Sequence, residues 1–326
     1  MSQLLTSILN GINSVIGNYG WSMIIFTLIV KIIILPLDYK SRKSMRKMSA
    51  VQPEMMRLQK KYANDKEKLN QKTAELYRKE GVSPMSGCLP MLVSMFVLWF
   101  MWSAMRTVAN GELVKQCIEL LTTGTQTNES WLWIKNLWMP DSPFTPIIPN
   151  QSGLAMIQAA DWAKVFTEFN LSAEQLATLA GFGIDASTIS AETVTAALKT
   201  LPIYAEETAL WAAMPRVNLI LVQLEIYAKN NGWFILPILA AVTQLMMTKT
   251  QPQPATADPS QAGTNKFMMY FFPLFSLWIC SSYNALFSLY WVVSNLFAWI
   301  QSVILNKVFE KMDKAAKETV KEGSLK

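Results

Sequence analysis

The chain has 326 residues, 51% hydrophobic and 16% charged, with a net charge of +6 and no histidine. The missing histidine removes the commonest general base and metal ligand. Cys88, Cys117 and Cys280 are too far apart for a CxxC pair or a metal-binding arrangement, and no phosphate-binding glycine loop or nucleophile elbow occurs. No catalytic residue, metal, cofactor or disulfide is therefore expected. The apolar residues fall in separate blocks, which points to an all-α polytopic membrane protein.

Residues 1–18 carry no charge and place Leu4, Leu5, Ile8, Leu9 and Ile12 at helical spacing. They read as an amphipathic helix on the outer membrane surface. No basic start with a cleavage site is seen, so no removable signal peptide is expected. The first span, 19–37, contains Lys31, the first charged residue in the chain. Counted from Trp21, a suitable interfacial anchor, Lys31 lies about 15 Å deep in a hydrocarbon core roughly 30 Å thick. A lysine there is costly by about 3 kcal/mol and faces a bundle interior or water-filled cavity unless it snorkels or completes a structural ion pair.

Residues 38–88 read as a cytoplasmic helical hairpin. Met48, Val51, Met55, Leu58 and Tyr62 form an apolar seam at alternating steps of three and four, with Pro53 as a kink or restart point. Asn64 and Asp65 supply the turn and cap, Leu69, Thr73, Leu76 and Tyr77 line the second helix, and Gly81 and Pro84 end it. The hairpin is either a solvated spacer or a docking surface, its basic faces suited to anionic headgroups or an acidic partner. Met48, Met55 and Met56 are candidates for receiving apolar clients, on a hairpin expected to move relative to the spans.

The remaining spans are drawn at 89–108, 233–248, 267–282 and 286–305, giving five in all. Between the second and third lies an extracytoplasmic segment, 109–232. Within it, 131–149 is rich in Trp and Pro and reads as an irregular stretch settled at the membrane interface. Residues 153–169, 172–182 and 190–200 look helical, with Ser172 and Ser190 as caps. Residues 209–229 look like a further amphipathic helix with Leu219, Val222 and Ile226 on one face. The segment is either a partner-binding cap or an insertion that shields the helix ends.

Orientation follows from charge. Segment 38–88 carries 13 Lys/Arg against 6 Asp/Glu, the tail 306–326 carries 6 against 4, and the loop 249–266 carries 2 against 1, whereas 110–232 has 6 against 12. The positive-inside rule puts the first three in the cytoplasm and the N-terminus outside. Polar residues that could share a cavity with Lys31 are Thr27, one turn before it, Gln244 in the third span, and Trp291, Ser294, Asn295, Gln301 and Ser302 in the last. The alternative is that they merely pack helices together.

These residues carry a resemblance. The run from Tyr19 to Pro36, the stretch VQPEMMRLQKKYANDKEKLNQKTAELYRKEGVSPMSGCLP at 51–90 and SLYWVVSNLFAWIQ at 288–301 resemble the first core span, the cytoplasmic hairpin and the last span of the YidC/Oxa family of membrane protein insertases. Together they cover about 110 residues in the family's order. The family has Arg where this chain has Lys31, which keeps the charge but loses the bidentate fork. It also often has only a short connection where 109–232 stands.

The resemblance implies a five-helix bundle in the bacterial inner membrane around a hydrophilic groove. A positive charge there would hold the polar outer tail of a client while its apolar segment slides into lipid, without ATP. Nascent membrane proteins are the implied clients, with membrane lipids, the ribosome through the basic tail and the Sec translocon as further partners, and no nucleic-acid sequence is recognised. The readings from other classes are a small-solute or ion transporter with Lys31 as its binding site, and a structural assembly scaffold.

Overall fold

A computed structural model describes residues 2–82, 89–218, 223–251 and 259–323. Pro84, Cys88, Leu219, Val222 and Lys326 lie outside them. The described chain is predominantly helical. In order it forms α1 (Ser2–Ile16), α2 (Tyr19–Lys61), α3 (Lys66–Glu80), α4 (Leu89–Thr123), the short α5 (Gln151–Leu154), α6 (Ala159–Ala163) and α7 (Val165–Glu168), then α8 (Ala173–Gly181), α9 (Ala191–Lys199) and α10 (Pro202–Ala212), the antiparallel pair β1 (Arg216–Asn218) and β2 (Gln223–Glu225), and finally α11 (Ile235–Thr250), α12 (Pro259–Ser282) and α13 (Ala285–Gly323).

Among the described residues two helices, Tyr19–Lys61 and Ala285–Ala315, are long and apolar enough to cross a bilayer, and Ile235–Thr250 and Phe267–Ser282 are shorter apolar helices. Only 28% of the most apolar window of α2 is buried, so it is not the core helix of a soluble fold. Ile29, Ile32 and Ile33 stand exposed beside Lys31, a surface that water disfavours and lipid accepts. Pro36 and Pro53 sit inside α2 without ending it. The helix therefore runs unbroken from the first span into the hairpin, and no new helix starts at Pro53.

The chain divides into two compact units. The first comprises 1–26, 100–239 and 277–291. Its core is built on the inner stripe of α4, where Leu113, Val114, Cys117, Ile118 and Leu121 recur at helical spacing and are all buried. Leu137, Trp162, Val165, Leu179, Val194 and Leu198 are also fully buried in this unit. Ser172 and Ser190 cap α8 and α9 as expected, each accepting from the backbone N–H three residues on and returned by Gln175 and Thr193. The expected helix over 209–229 is not formed. Pro202 starts α10 as its first residue, the helix stops at Ala212, and Arg216 pairs with Glu225 in a two-stranded ladder.

Segment 131–149 is irregular, but it does not rest on a surface. Trp131 and Trp138 are buried, and an amide network explains why. Asn231 accepts from the Asn136 N–H at 2.7 Å and donates to the carbonyls of Asn136, Met139 and Pro140 at 2.8–3.0 Å. Asn136 in turn donates to Gln116 at 2.9 Å. The carboxylate of Asp141, fully buried, accepts from the indole N–H of Trp133 and from the N–H groups of Trp233 and Leu236. It thereby caps the start of α11, where orphan N–H groups and the helix dipole favour an anion. Gly232 leaves the room this needs, since a Cβ there would fall on an Asp141 oxygen. Burial pushes the Cys117 thiol up from its ordinary pKa, so it stays an unreactive packing group.

The second unit comprises 27–99, 240–276 and 292–326. The C-terminal part of α2 and α3 share an apolar cluster of Val51, Leu76 and Val82, against which Met48, Met55, Leu58 and Tyr77 pack. Asp65 caps α3 by accepting from the Lys68 N–H, and Gly81 closes it in the left-handed conformation, φ 61°. Beyond the last apolar stretch, Phe309 of α13 is buried, with its ring centroid 5.6 Å from that of Tyr39.

Candidate functional site

The polar residues singled out around Lys31 fall mostly in the second unit. Thr27 is fully buried and Lys31 partly so, while Gln244 and Asn295 are buried and Ser294 partly buried. Trp291 belongs to the first unit, where its ring lies 5.5 Å from that of Phe287. Helical spacing makes one ridge of Thr27, Lys31, Asp38 and Arg42 on α2. Ile29, Ile32 and Ile33 occupy the opposite face. The charge of Asp38 acts on both Lys31 and Arg42, although among the described residues Lys31 has no carboxylate within ion-pair distance.

The buried polar side chains of this unit are Thr27, Arg42, Thr243, Gln244, Ser276, Asn295, Gln301 and Ser302. Two of them are incompletely used. The amide nitrogens of Asn295 and Gln301 are buried with no hydrogen-bond partner, and each orphan donor costs about 1–3 kcal/mol. Trp131, Trp162, Thr195 and Trp211 of the first unit also hold buried polar atoms without a partner. Elsewhere the second unit is well satisfied. Arg42 donates to the Ser302 hydroxyl at 2.7 Å, Ser302 donates to the Thr250 carbonyl at 2.9 Å, and Asn306 donates to the same carbonyl at 3.1 Å. Thr250 ends α11, so its carbonyl is one of the orphan acceptors of a helix C-terminus. Helices α2, α11 and α13 are thereby tied together by one polar relay.

Arg42, Asp38 and Thr250 had no distinguishing signal in composition. Their signal is spacing: Asp38 follows Lys31 by seven residues and Arg42 follows Asp38 by four, which returns each to the same face. Of the three hairpin methionines, Met48 and Met55 pack on the hairpin's own cluster, whereas Met56 is exposed. Among the described residues no group of His, Cys, Asp and Glu is arranged to hold a metal.

Long helices with exposed apolar faces that also carry buried polar side chains define a helical membrane protein. The family model described as 60Kd inner membrane protein matches residues 11–314, and the chain belongs to that family. It is similar to proteins named membrane protein insertase YidC: 46% identical over 107 residues to one from Fusobacterium nucleatum, covering 33% of this chain and 52% of that one. Similarity is longer but lower to relatives from Chlorobaculum parvum, 27% over 313 residues, and Rickettsia rickettsii, 29% over 292 residues. These cover 96% and 90% of this chain but only 37% and 36% of theirs. The chain thus spans about half or less of the length of the curated relatives it matches. The resemblance of the chain to the YidC/Oxa family holds, and it is an inner-membrane protein.

Proposed function

We propose that this chain is the core of a membrane protein insertase that passes client transmembrane segments from the cytoplasm into the bilayer without ATP. Its relatives are named for that activity, and the observation that carries the reading is Lys31 on the Thr27 face of an apolar-surfaced helix, with the unpartnered amides of Asn295 and Gln301 in the same unit. Five spans, at 19–37, 89–108, 233–248, 267–282 and 286–305, place the N-terminus outside and the hairpin and tail in the cytoplasm. Lys31, Thr27, Gln244, Ser294 and Asn295 line a wet groove. Water and polar groups there shorten the apolar distance a client's polar tail must cross, and Lys31 offsets the desolvation of an acidic residue in it. The attraction must stay modest for release, and water in the groove would screen it.

In this reading the hairpin receives the client, with Met56 its exposed apolar contact. The tail meets the ribosome or anionic lipid in a salt-sensitive contact, and the Sec translocon cooperates with some clients. The test is reconstitution of the purified chain into liposomes with a single-span client whose outer tail is acidic. Lys31→Arg is expected to insert it normally and Lys31→Glu to fail. Equal insertion by wild type and Lys31→Glu would leave the scaffold reading instead, and uptake of a small solute or ion in place of insertion would favour a transporter.

A further inference from the structure

A buried guanidinium is normally paired with a carboxylate. Arg42 is not: it is 7% exposed, and among the described residues its one hydrogen bond is to the neutral hydroxyl of Ser302, with no carboxylate in ion-pair contact. It opens onto a cavity of about 250 Å³ lined also by Arg46, Ser49, Asn306, Phe309 and Glu310. Arg46 reaches the same cavity from the next turn, with its guanidinium 5.4 Å from the Phe309 ring and paired at 2.5 Å to Asp313. That pair is exposed on both sides, so it is weak and open to competition.

We propose that this cavity binds the glycerophosphate headgroup of an anionic phospholipid, with its phosphate on Arg42 and Arg46. Three observations select this ligand. The planar fork of arginine matches phosphate oxygens, and Arg42 has most of its five donors unused. Depth is the second: Arg42 follows Lys31 by eleven helical residues, about 16 Å along α2, half the thickness of a bilayer core. A lysine at mid-membrane puts Arg42 at the level of lipid phosphates. The third is Glu310, an acceptor that repels a bare anion but accepts from the hydroxyls of a glycerol headgroup, while Asn306 and Ser49 offer neutral partners. The depth argument rests on the reading of α2 as a membrane span.

The purified full chain in detergent, titrated with short-chain phosphatidylglycerol, phosphatidylcholine, phosphatidic acid and inorganic phosphate, tests this through the shift in its thermal unfolding. Phosphatidylglycerol is expected to act at about tenfold lower concentration than phosphatidylcholine, the effect of one charge-assisted pair. Arg42→Gln should abolish that preference, and Arg46→Gln, at a more exposed position that leaves the Ser302 relay intact, should reduce it severalfold. Glu310→Gln should erase the preference for phosphatidylglycerol over phosphatidic acid. Equal responses to phosphatidylglycerol and phosphatidylcholine, or a preference that survives both arginine substitutions, would overturn the proposal. A response to inorganic phosphate that matches phosphatidylglycerol would make this a free-anion site and overturn the lipid assignment. Client insertion is not read by this assay. A chain that inserts clients without lipid preference sinks the lipid site alone, and the converse result sinks the insertase alone.

Discussion

The Asn136, Asp141 and Asn231 network of the first unit and the Asn295 and Gln301 amides of the second use buried polar groups in opposite ways. Around Asn136, Asp141 and Asn231 in the first, nearly every donor meets an acceptor, and the result is a segment without regular structure that is nevertheless fixed. In the second, Asn295 and Gln301 keep buried donors without partners, and Lys31 has no contact ion pair among the described residues. Saturated networks specify one shape. Unsaturated ones raise the energy of the resting state and lower it again when something polar arrives. The network serves architecture, and under the proposed function the two amides are held for a client.

The comparison can be broken by substitution. The largest effect is expected at Asn231→Ala, which strips partners from three carbonyls and one N–H and should cost about 3–5 kcal/mol. A thermal unfolding series in detergent would show it. Asn295→Leu should cost less than about 1 kcal/mol in the same assay, because an orphan amide is replaced by an apolar group of similar size. The comparison fails if the two substitutions destabilise alike. Insertion should reverse the order, Asn295→Leu impairing an acidic-tail client severalfold while Asn231→Ala acts only through folding. Gly232→Ala comes next, since a Cβ displaces Asp141 from the start of α11, for about 1–3 kcal/mol.

Cross-linking sharpens the comparison within the hairpin. A photo-reactive group at Met56 should capture nascent clients. At Met55, whose sulfur lies 2.8 Å from the Tyr77 hydroxyl, it should label the hairpin itself. Equal capture from both would mean that the Val51, Leu76 and Val82 cluster opens in use.

The smallest effect is a dependence on pH. Lys229 pairs with the buried carboxylate of Glu207, and its hydrogen bond and charge hold the Lys229 pKa above the ordinary 10.5. A raised lysine pKa contributes stability that is complete below the unfolded value and is lost as pH rises through the folded one. Unfolding temperature should therefore be insensitive to this pair up to about pH 10 and decline above it. Lys229→Met should remove that decline.

What was legible in the sequence was local. Ser172, Ser190, Asp65 and Gly81 act within three or four residues of themselves, so their roles as caps follow from the chain alone. Lys31 was legible because hydrocarbon makes any charge conspicuous. Segment 131–149 misled because Trp and Pro fit a membrane interface and a buried irregular segment equally well, and the decision came from Asn231 and Gln116, far away in sequence. Stretch 209–229 misled because its apolar residues fit a helical period as well as a strand one. Arg42 lay in a run of lysines and arginines, where only its return to the Thr27 and Lys31 face of α2 set it apart.

The unbroken course of α2 has a mechanical meaning. Lys31 and Met55 ride on one rod, some 36 Å apart along its axis. Two prolines lie between them: Pro36 has no N–H to give to the carbonyl of Ile32, and Pro53 none for that of Ser49. Each is a point where the rod can flex, and Pro36 is one turn from Lys31. A bending load on the hairpin is therefore taken up at the prolines, and the lysine keeps its place while the hairpin swings. Stiffening the helix with Pro36→Ala should couple the two, so that distances measured from Lys31 to its neighbours vary with hairpin position, while the resting fold stays at least as stable.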